Sequence, residues 1–363
     1  MLPRTVMIIA GGTGGHVYPG LAVADYLRQH DVSIIWLGTA TGLEARVVPG
    51  QGYRFITIQV SGLRGKGLLK LITAPFMVLK AILQSLSVLR QAKPDVVLGM
   101  GGFVSGPGGI AAWLSRIPLF IHEQNSIPGT TNRILALFAK VVMEGFPGTF
   151  KPGNRILTTG NPVRSEMFNV QDPVSRLSGS PDRCMRLLVI GGSQGARVLN
   201  KVLPETIQQL EGKVDIEIWH QVGDRNLAEA KSDYAKVNQS YRIRIEPFIE
   251  DMAEAYSWAD LVLCRAGALT IAELCAVGIA SILVPFPYAT DNHQKKNAGY
   301  LSDNGAAVLI DEGDLQASIL AKLLTEISGA RNRIFEMAIA ARKLARPGAT
   351  RAVADVCMGV TYG

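Results

Sequence analysis

A chain of 363 residues is long for one domain and suits two, each able to bury its own core. With 48% hydrophobic and only 18% charged residues it is not a disordered chain, and its 38 glycines form clusters without the regular period of a fibrous protein. The net charge of +7 favours anionic partners such as nucleic acid, an anionic membrane face or phosphorylated substrates. The four cysteines form no CxxC pair and have no His at metal spacing, so reduced buried thiols are expected, with no disulfide framework and no zinc site.

Arg4 is followed by only five apolar residues before Gly11, too few for a signal peptide, and the cytoplasm is the expected compartment. Apolar runs then alternate with helix-patterned segments, as in a parallel sheet covered by helices. Strands are predicted at 5–10, 33–37, 55–60, 95–99, 118–122 and 140–143, and helices at 19–30, 43–48, 73–92, 107–115 and 129–138. Residues 164–185 are polar, contain Pro and Ser and have weak periodicity, which reads as a linker. The strand pattern restarts at 186–190, 215–219, 242–246, 260–264, 280–284 and 305–310.

The restart repeats a motif. VMIIAGGTGGH at 6–16 and LLVIGGSQGAR at 187–197 are each an apolar strand running into a Gly-rich turn and a helix, and GMGGFVSGPGG at 99–109 is a third glycine-lined strand end. Such turns bring backbone N–H groups and the positive end of a helix dipole to an anion. None fits the dinucleotide or P-loop spacing, and no acidic residue ends the 33–37 strand where an NAD ribose would need one. Two α/β halves around a cleft, binding a diphosphate-containing ligand and an acceptor, fit the pattern better.

Seven collinear segments then carry a more specific signal: GGTGGHVYPGLAVA (11–24), SGLRGKG (61–67), KPDVVLGMGGFVSGPGG (93–109), HEQNSIPGTTN (122–132), GNPVR (160–164), GGSQGAR (191–197) and CRAGALTIAEL (264–274). They closely resemble the MurG family of glycosyltransferases. The resemblance implies a GT-B fold of two doubly wound Rossmann-like α/β domains around a central cleft. An acceptor and membrane-binding domain is expected over 1–163 with a returning helix at about 348–363, and a UDP-GlcNAc domain over 164–347. It also implies inverting transfer of GlcNAc from UDP-GlcNAc to the muramyl C4 hydroxyl of lipid I, giving lipid II, with no cofactor and no metal. The nearest rival is another GT-B enzyme acting on a UDP-sugar, a lipid glycosyltransferase or an epimerase. A nucleic-acid-binding protein would need basic residues interleaved with exposed aromatics, which the chain lacks.

Carried onto this sequence, the resemblance makes His16 the base for the sugar hydroxyl, where a helix N-terminus favours the neutral imidazole. Thr13, Gly14, Gly15 and Asn125 fall near the donor sugar and acceptor diphosphate, and Glu123 is a secondary base candidate whose structural alternative is a strand-end carboxylate. Arg164 is assigned to the leaving UDP, against an exposed linker arginine. Ser193 and Gln194 match the diphosphate site, Ile249 the uracil edge, and Ala268, Leu269, Thr270, Ile271 and Ala272 the start of a helix whose Glu273 binds ribose. Thr270 and Glu273 also fit a T-x-x-E capping box. Gln294 should bond GlcNAc hydroxyls; His293 and Phe103 depart from the family's usual Gln and Tyr. His30 and His220 show no partner pattern and are expected to pack in the core or on the surface.

Residues 45–94 contain no Asp or Glu but eight Lys and Arg, and their helix is apolar on more than one face. Lys70, Pro75, Lys80 and Arg90 interrupt any span of the bilayer. Phe76, Leu79, Lys80, Ile82 and Leu83 are therefore expected to dock on the anionic inner face of the cell membrane as a peripheral contact. Cell-wall synthesis enzymes are candidate protein partners.

Overall fold

The computed structural model describes residues 5–60, 68–178, 184–192, 195–237 and 241–359, with the backbone alone for 68–73 and 290. The chain divides into two compact units, one of residues 1–164 with 346–363 and one of residues 165–345.

In the first unit, short apolar runs form β1 (Thr5–Ala10), β2 (Ser33–Gly38), β3 (Arg54–Thr57), β4 (Val96–Gly101), β5 (Leu119–Glu123), β6 (Val141–Glu144) and β7 (Ile156–Thr158). Every pairing is parallel, in the order β3-β2-β1-β4-β5-β6-β7. Parallel strands with helices on both faces must be apolar on both faces, which is why β1 is buried from Val6 onward. One core layer lies between the sheet and the helices Gly14–Arg28 and Ala349–Met358, and holds Trp36, Leu27 and Cys357. The other, with Ile9, Leu89 and Leu135, lies under the helices Leu68–Ala92, Ser105–Leu114 and Thr130–Leu135.

The second unit repeats the winding with β8 (Met185–Ile190), β9 (Ile216–Gln221), β10 (Arg242–Glu246), β11 (Leu261–Cys264), β12 (Ala280–Leu283) and β13 (Ala307–Leu309). The order is β10-β9-β8-β11-β12-β13, again all parallel. In both sheets the strand order reverses beside the strand that enters a glycine turn, between β1 and β4 and between β8 and β11. Ligands of open α/β sheets bind beyond the carboxyl ends of strands at such a switch point.

Several predicted boundaries shift. The first helix begins at Gly14 and continues through Pro19, so His16 sits inside its first turn. The predicted strand 55–60 is cut to β3, and β7 is too short and too exposed to show an apolar run. Residues 165–178 are not a free linker. Ser165–Phe168 and Pro173–Leu177 are helical turns of the second unit, the latter capped by Asp172 and pinned where Arg176 donates to the carbonyls of Val277 and Gly278. The rest of that segment, 179–183, lies outside the described residues. Cys264, Cys275 and Cys357 are buried free thiols, but Cys184 is half-buried.

Candidate active site

At the first switch point, Thr13 caps the helix Gly14–Arg28 with extended backbone and no side-chain cap bond. Its carbonyl accepts from the His16 and Val17 amides, while its Oγ1 lies 3.2 Å from His16 Nδ1. The imidazole rests on the end of β4. Gly101 has φ +101°, and a Cβ there would sit 2.7 Å from His16 Cδ2 and 2.9 Å from Nε2. Gly102, φ +84°, presses on the first glycine turn, where a Cβ would meet the Gly11 carbonyl oxygen at 2.2 Å. Both positions require glycine, for the left-handed backbone and for the close approach.

Two buried side chains hold this arrangement. Glu44, 0% exposed, accepts from the Gly12 amide (2.9 Å), the Thr39 amide (3.0 Å) and the Thr39 hydroxyl (2.6 Å). Ser105 Oγ accepts from the Gly101 amide and lies within donating distance of the Ile9 and Gly101 carbonyls, tying the ends of β1 and β4 together. Sequence reading missed both, because their partners lie up to 96 residues away.

Glu123 is buried and saturated. It accepts from the amides of Asn125 and Gly129 and from the side-chain amides of Asn125 and Asn132. With four donors on its two oxygens, Glu123 is the strand-end carboxylate that orients Asn125, which is half-buried. His122 is wholly buried, and burial lowers its pKa to about 4. As the neutral ring it donates from Nε2 to the Gly160 carbonyl (2.9 Å) and accepts at Nδ1 from Gln124 (3.1 Å). Asn161 donates to the Gln124 carbonyl, so the HEQN and GNPVR turns form one hydrogen-bonded block. That block ends at Arg164, half-buried with its guanidinium 5.8 Å above the Tyr18 ring, one turn from Gly14. The first unit thus brings Thr13, Gly14, Gly15, His16 and Arg164 to one end of its first helix; Phe103 is exposed nearby in sequence.

At the second switch point, Ser193 and Gln194 lie outside the described residues. Beside them the Gly195 amide donates to the Gly192 carbonyl. Opposite, β11 runs through Arg265 and Ala266 to Gly267, the N-cap of the helix Ala268–Val277, which makes no side-chain cap bond. Thr270 is therefore inside the helix, and the capping-box alternative is excluded. Leu269, Thr270 and Ala272 are half-buried, whereas the Ile271 side chain is fully buried and its amide donates to the Gly267 carbonyl. Glu273 accepts from the Tyr256 hydroxyl at 3.1 Å. Ile249 is buried directly after β10. Gln294, in the first turn of the helix His293–Ser302, accepts at Oε1 from the Phe286 amide (2.9 Å), and His293 is half-buried. Among the described residues no group of three His, Cys, Asp or Glu is placed to hold a metal ion.

Residues 6–144 match the N-terminal domain of glycosyltransferase family 28, and residues 186–353 its C-terminal domain. The chain is 51% identical to the UDP-N-acetylglucosamine–N-acetylmuramyl-(pentapeptide) pyrophosphoryl-undecaprenol N-acetylglucosamine transferase of Nitrosococcus oceani, over 99% of both chains. The chain belongs to the MurG family of glycosyltransferases. A relative of the same name from Aeromonas hydrophila is 48% identical over 100% of this chain and 98% of its own. The solved structure of Acinetobacter baumannii MurG superposes with a TM-score of 0.84 at 41% identity, covering 98% of this chain and all of that one. A UDP-N-acetylglucosamine 2-epimerase structure aligns at 14% identity with a TM-score of 0.68, a likeness of fold alone. MurG-family membership and the two parallel doubly wound sheets make this a GT-B fold.

The membrane-contact residues come out unevenly. Phe76, Leu79 and Leu83 are 74%, 54% and 58% exposed, and Lys80 is exposed beside them. Ile82 is half-buried, on the side of the helix turned toward the buried Ala81, Ser85 and Leu89. Sequence reading missed further exposed apolar residues: Trp113 and Leu114 end the next helix, which packs on Leu68–Ala92, Ile134 lies on the helix Thr130–Leu135 and Leu137 in the turn after it. Arg116, Arg133 and Lys140, close to these in sequence, are exposed.

Proposed function

We propose that this chain transfers GlcNAc from UDP-GlcNAc to the C4 hydroxyl of undecaprenyl-diphospho-N-acetylmuramyl-pentapeptide, with inversion, completing lipid II. The observation that carries the reading is the end-to-end identity with transferases of that name, in a chain whose two switch points are both glycine-lined helix N-termini. The first unit takes the acceptor and the second the donor. His16 accepts the proton of the C4 hydroxyl as its oxygen bonds to C1 of the donor sugar, and the C1–phosphate oxygen bond breaks to release UDP. Inversion follows from this single displacement.

In the second unit, Ser193, Gln194 and the N-terminus of the helix Ala268–Val277 hold the diphosphate, Glu273 the ribose, the Ile249 backbone the uracil edge and Gln294 the sugar. Helix N-termini contribute roughly 0.3–2 kcal/mol each toward an anion; with Arg164 they stabilise departing UDP without a metal. The first test is transfer of labelled GlcNAc from UDP-GlcNAc to a lipid I analogue, with and without EDTA. Transfer that survives EDTA is expected. Loss with EDTA would remove the metal-free account, and donor binding without transfer would point to a different acceptor.

The exposed apolar residues of the helices Leu68–Ala92, Ser105–Leu114 and Thr130–Leu135, together with the exposed Lys80, Arg116, Arg133 and Lys140, dock the enzyme on the anionic inner membrane face. Large apolar side chains left exposed on neighbouring helices suit insertion at a membrane interface, and each basic residue near anionic lipid adds ~1 kcal/mol. No helix among the described residues is long and apolar enough to cross a membrane. Sedimentation with anionic vesicles should fall sharply for Leu79→Glu with Lys80→Glu; equal sedimentation of variant and wild type would sink the docking surface.

A further inference from the structure

We infer that Arg265 is a positioning residue that sets the Gln294 carboxamide as a hydrogen-bond donor to the transferred sugar. The inference rests on the proposed sugar-reading role of Gln294. Arg265 leaves the carboxyl end of β11 with its side chain only 16% exposed. Its Nη1 donates to the carbonyls of Val284 (3.1 Å) and Pro285 (3.4 Å), the segment leaving β12, while Nη2 pairs with Glu312 at 2.5 Å. The same guanidinium stands 5.4 Å from the centre of the Phe286 ring. Every contact of this fork therefore falls on the 284–286 turn or on the loop after β13.

That turn matters because of the next amide along it. Phe286 N–H donates to Gln294 Oε1 at 2.9 Å, which fixes which end of the carboxamide is the oxygen. The other end, Nε2, is then the donor end of the carboxamide, suited to hydroxyl oxygens of a sugar. From the other side, buried Asn297 donates to the Ala266 carbonyl at 3.2 Å, so the helix of Gln294 is also tied to the residue after Arg265. A lysine at 265 has no planar fork and cannot hold two carbonyls and a carboxylate at once. Loss of the fork frees the turn, lets the amide swing, and removes the sugar contact while leaving the nucleotide contacts in place.

The test is equilibrium binding of UDP-GlcNAc and of UDP to the full chain, with steady-state kinetics alongside. For Arg265→Lys, UDP-GlcNAc affinity should fall about tenfold, the size of one lost hydrogen bond, with UDP affinity changed less than about twofold. Glu312→Gln, which retains an acceptor for the guanidinium, should show the same selective loss at about two- to threefold. In a Gln294→Ala background, Arg265→Lys should cause no further loss of UDP-GlcNAc. Equal weakening of both ligands, or additive losses in the double variant, overturns the inference and leaves Arg265 as general scaffolding. If Gln294→Ala itself keeps the preference for UDP-GlcNAc over UDP, the sugar-reading role fails and the inference with it. If Gln294→Ala loses that preference while Arg265→Lys keeps it, only the inference fails.

Discussion

The two switch points share a winding and differ in what stands on it. Each sheet sends a strand into a glycine turn, and each presents a helix N-terminus without a side-chain cap. In the first unit the turn carries an imidazole, packed against Gly101 and bonded to Thr13. In the second the neighbouring helix carries a carboxylate, Glu273, held by Tyr256. The backbone supplies an uncapped helix N-terminus twice, and on the proposed reading the side chains divide the chemistry: a proton acceptor on one, a receiver of hydroxyl groups on the other. This is the division that transfer between a hydroxyl acceptor and a nucleotide-sugar donor calls for.

The sharpest way to break the comparison is His16→Ala. Removing a general base costs typically 10²–10⁴-fold in rate, so kcat should fall in that range with UDP binding to the second unit unchanged. A parallel loss of UDP affinity would mean that the two units do not divide the work. Next in size is Gly102→Ala, which combines a left-handed backbone with a collision on the Gly11 carbonyl and should destabilise the protein by about 2–4 kcal/mol in calorimetry. Gly12→Ala, at φ +93° with open space around its Cβ, should cost only about 1–2 kcal/mol. Equal costs would show that the two glycine turns of the first unit do not press on each other.

An effect that vanishes at neutral pH sharpens a further contrast. Each unit buries a neutral histidine, His122 at a pKa of about 4 and His220 at about 3, both through burial. Because the folded pKa lies below the unfolded value near 6.5, the unfolded chain binds protons first as pH falls. Stability is therefore complete above about pH 6.5 and is lost progressively toward pH 4, by about 2 kcal/mol per histidine at pH 5. His122→Gln should flatten this slope in thermal unfolding between pH 7 and 5; an unchanged slope would remove His122 as its source. His122 bridges the HEQN and GNPVR turns, whereas His220 meets Tyr234 Oη on one side and its Nε2 has no partner among the described residues, so on the proposed reading only the former should also alter kinetics.

Much of the fold was legible because parallel strands covered on both faces read as uninterrupted apolar runs, as in VMIIA and LLVI. Glycine turns at strand ends marked the two switch points, and ordered motifs named the family. β7 and the turns of 165–178 were not legible, since three- to five-residue elements carry no period and are held by contacts such as Arg176 to Gly278, over 102 residues. The apolar stripe of Leu68–Ala92 was visible in sequence, but which stripe faces outward was decided by packing on the helix Ser105–Leu114.

What the sequence by itself determined is local: strand and turn periodicity, the glycine clusters, His16 at a helix start and the acid-free basic segment. Only the tertiary structure decided that Glu44 braces the first turn, that Glu123 is saturated by four donors, that Thr270 is no cap and that Arg265 holds the turn bonded to Gln294. A side chain's role as brace or ligand-binding group depends on which donors and acceptors reach it, and here those come from segments tens of residues away that only the winding of the sheets brings together.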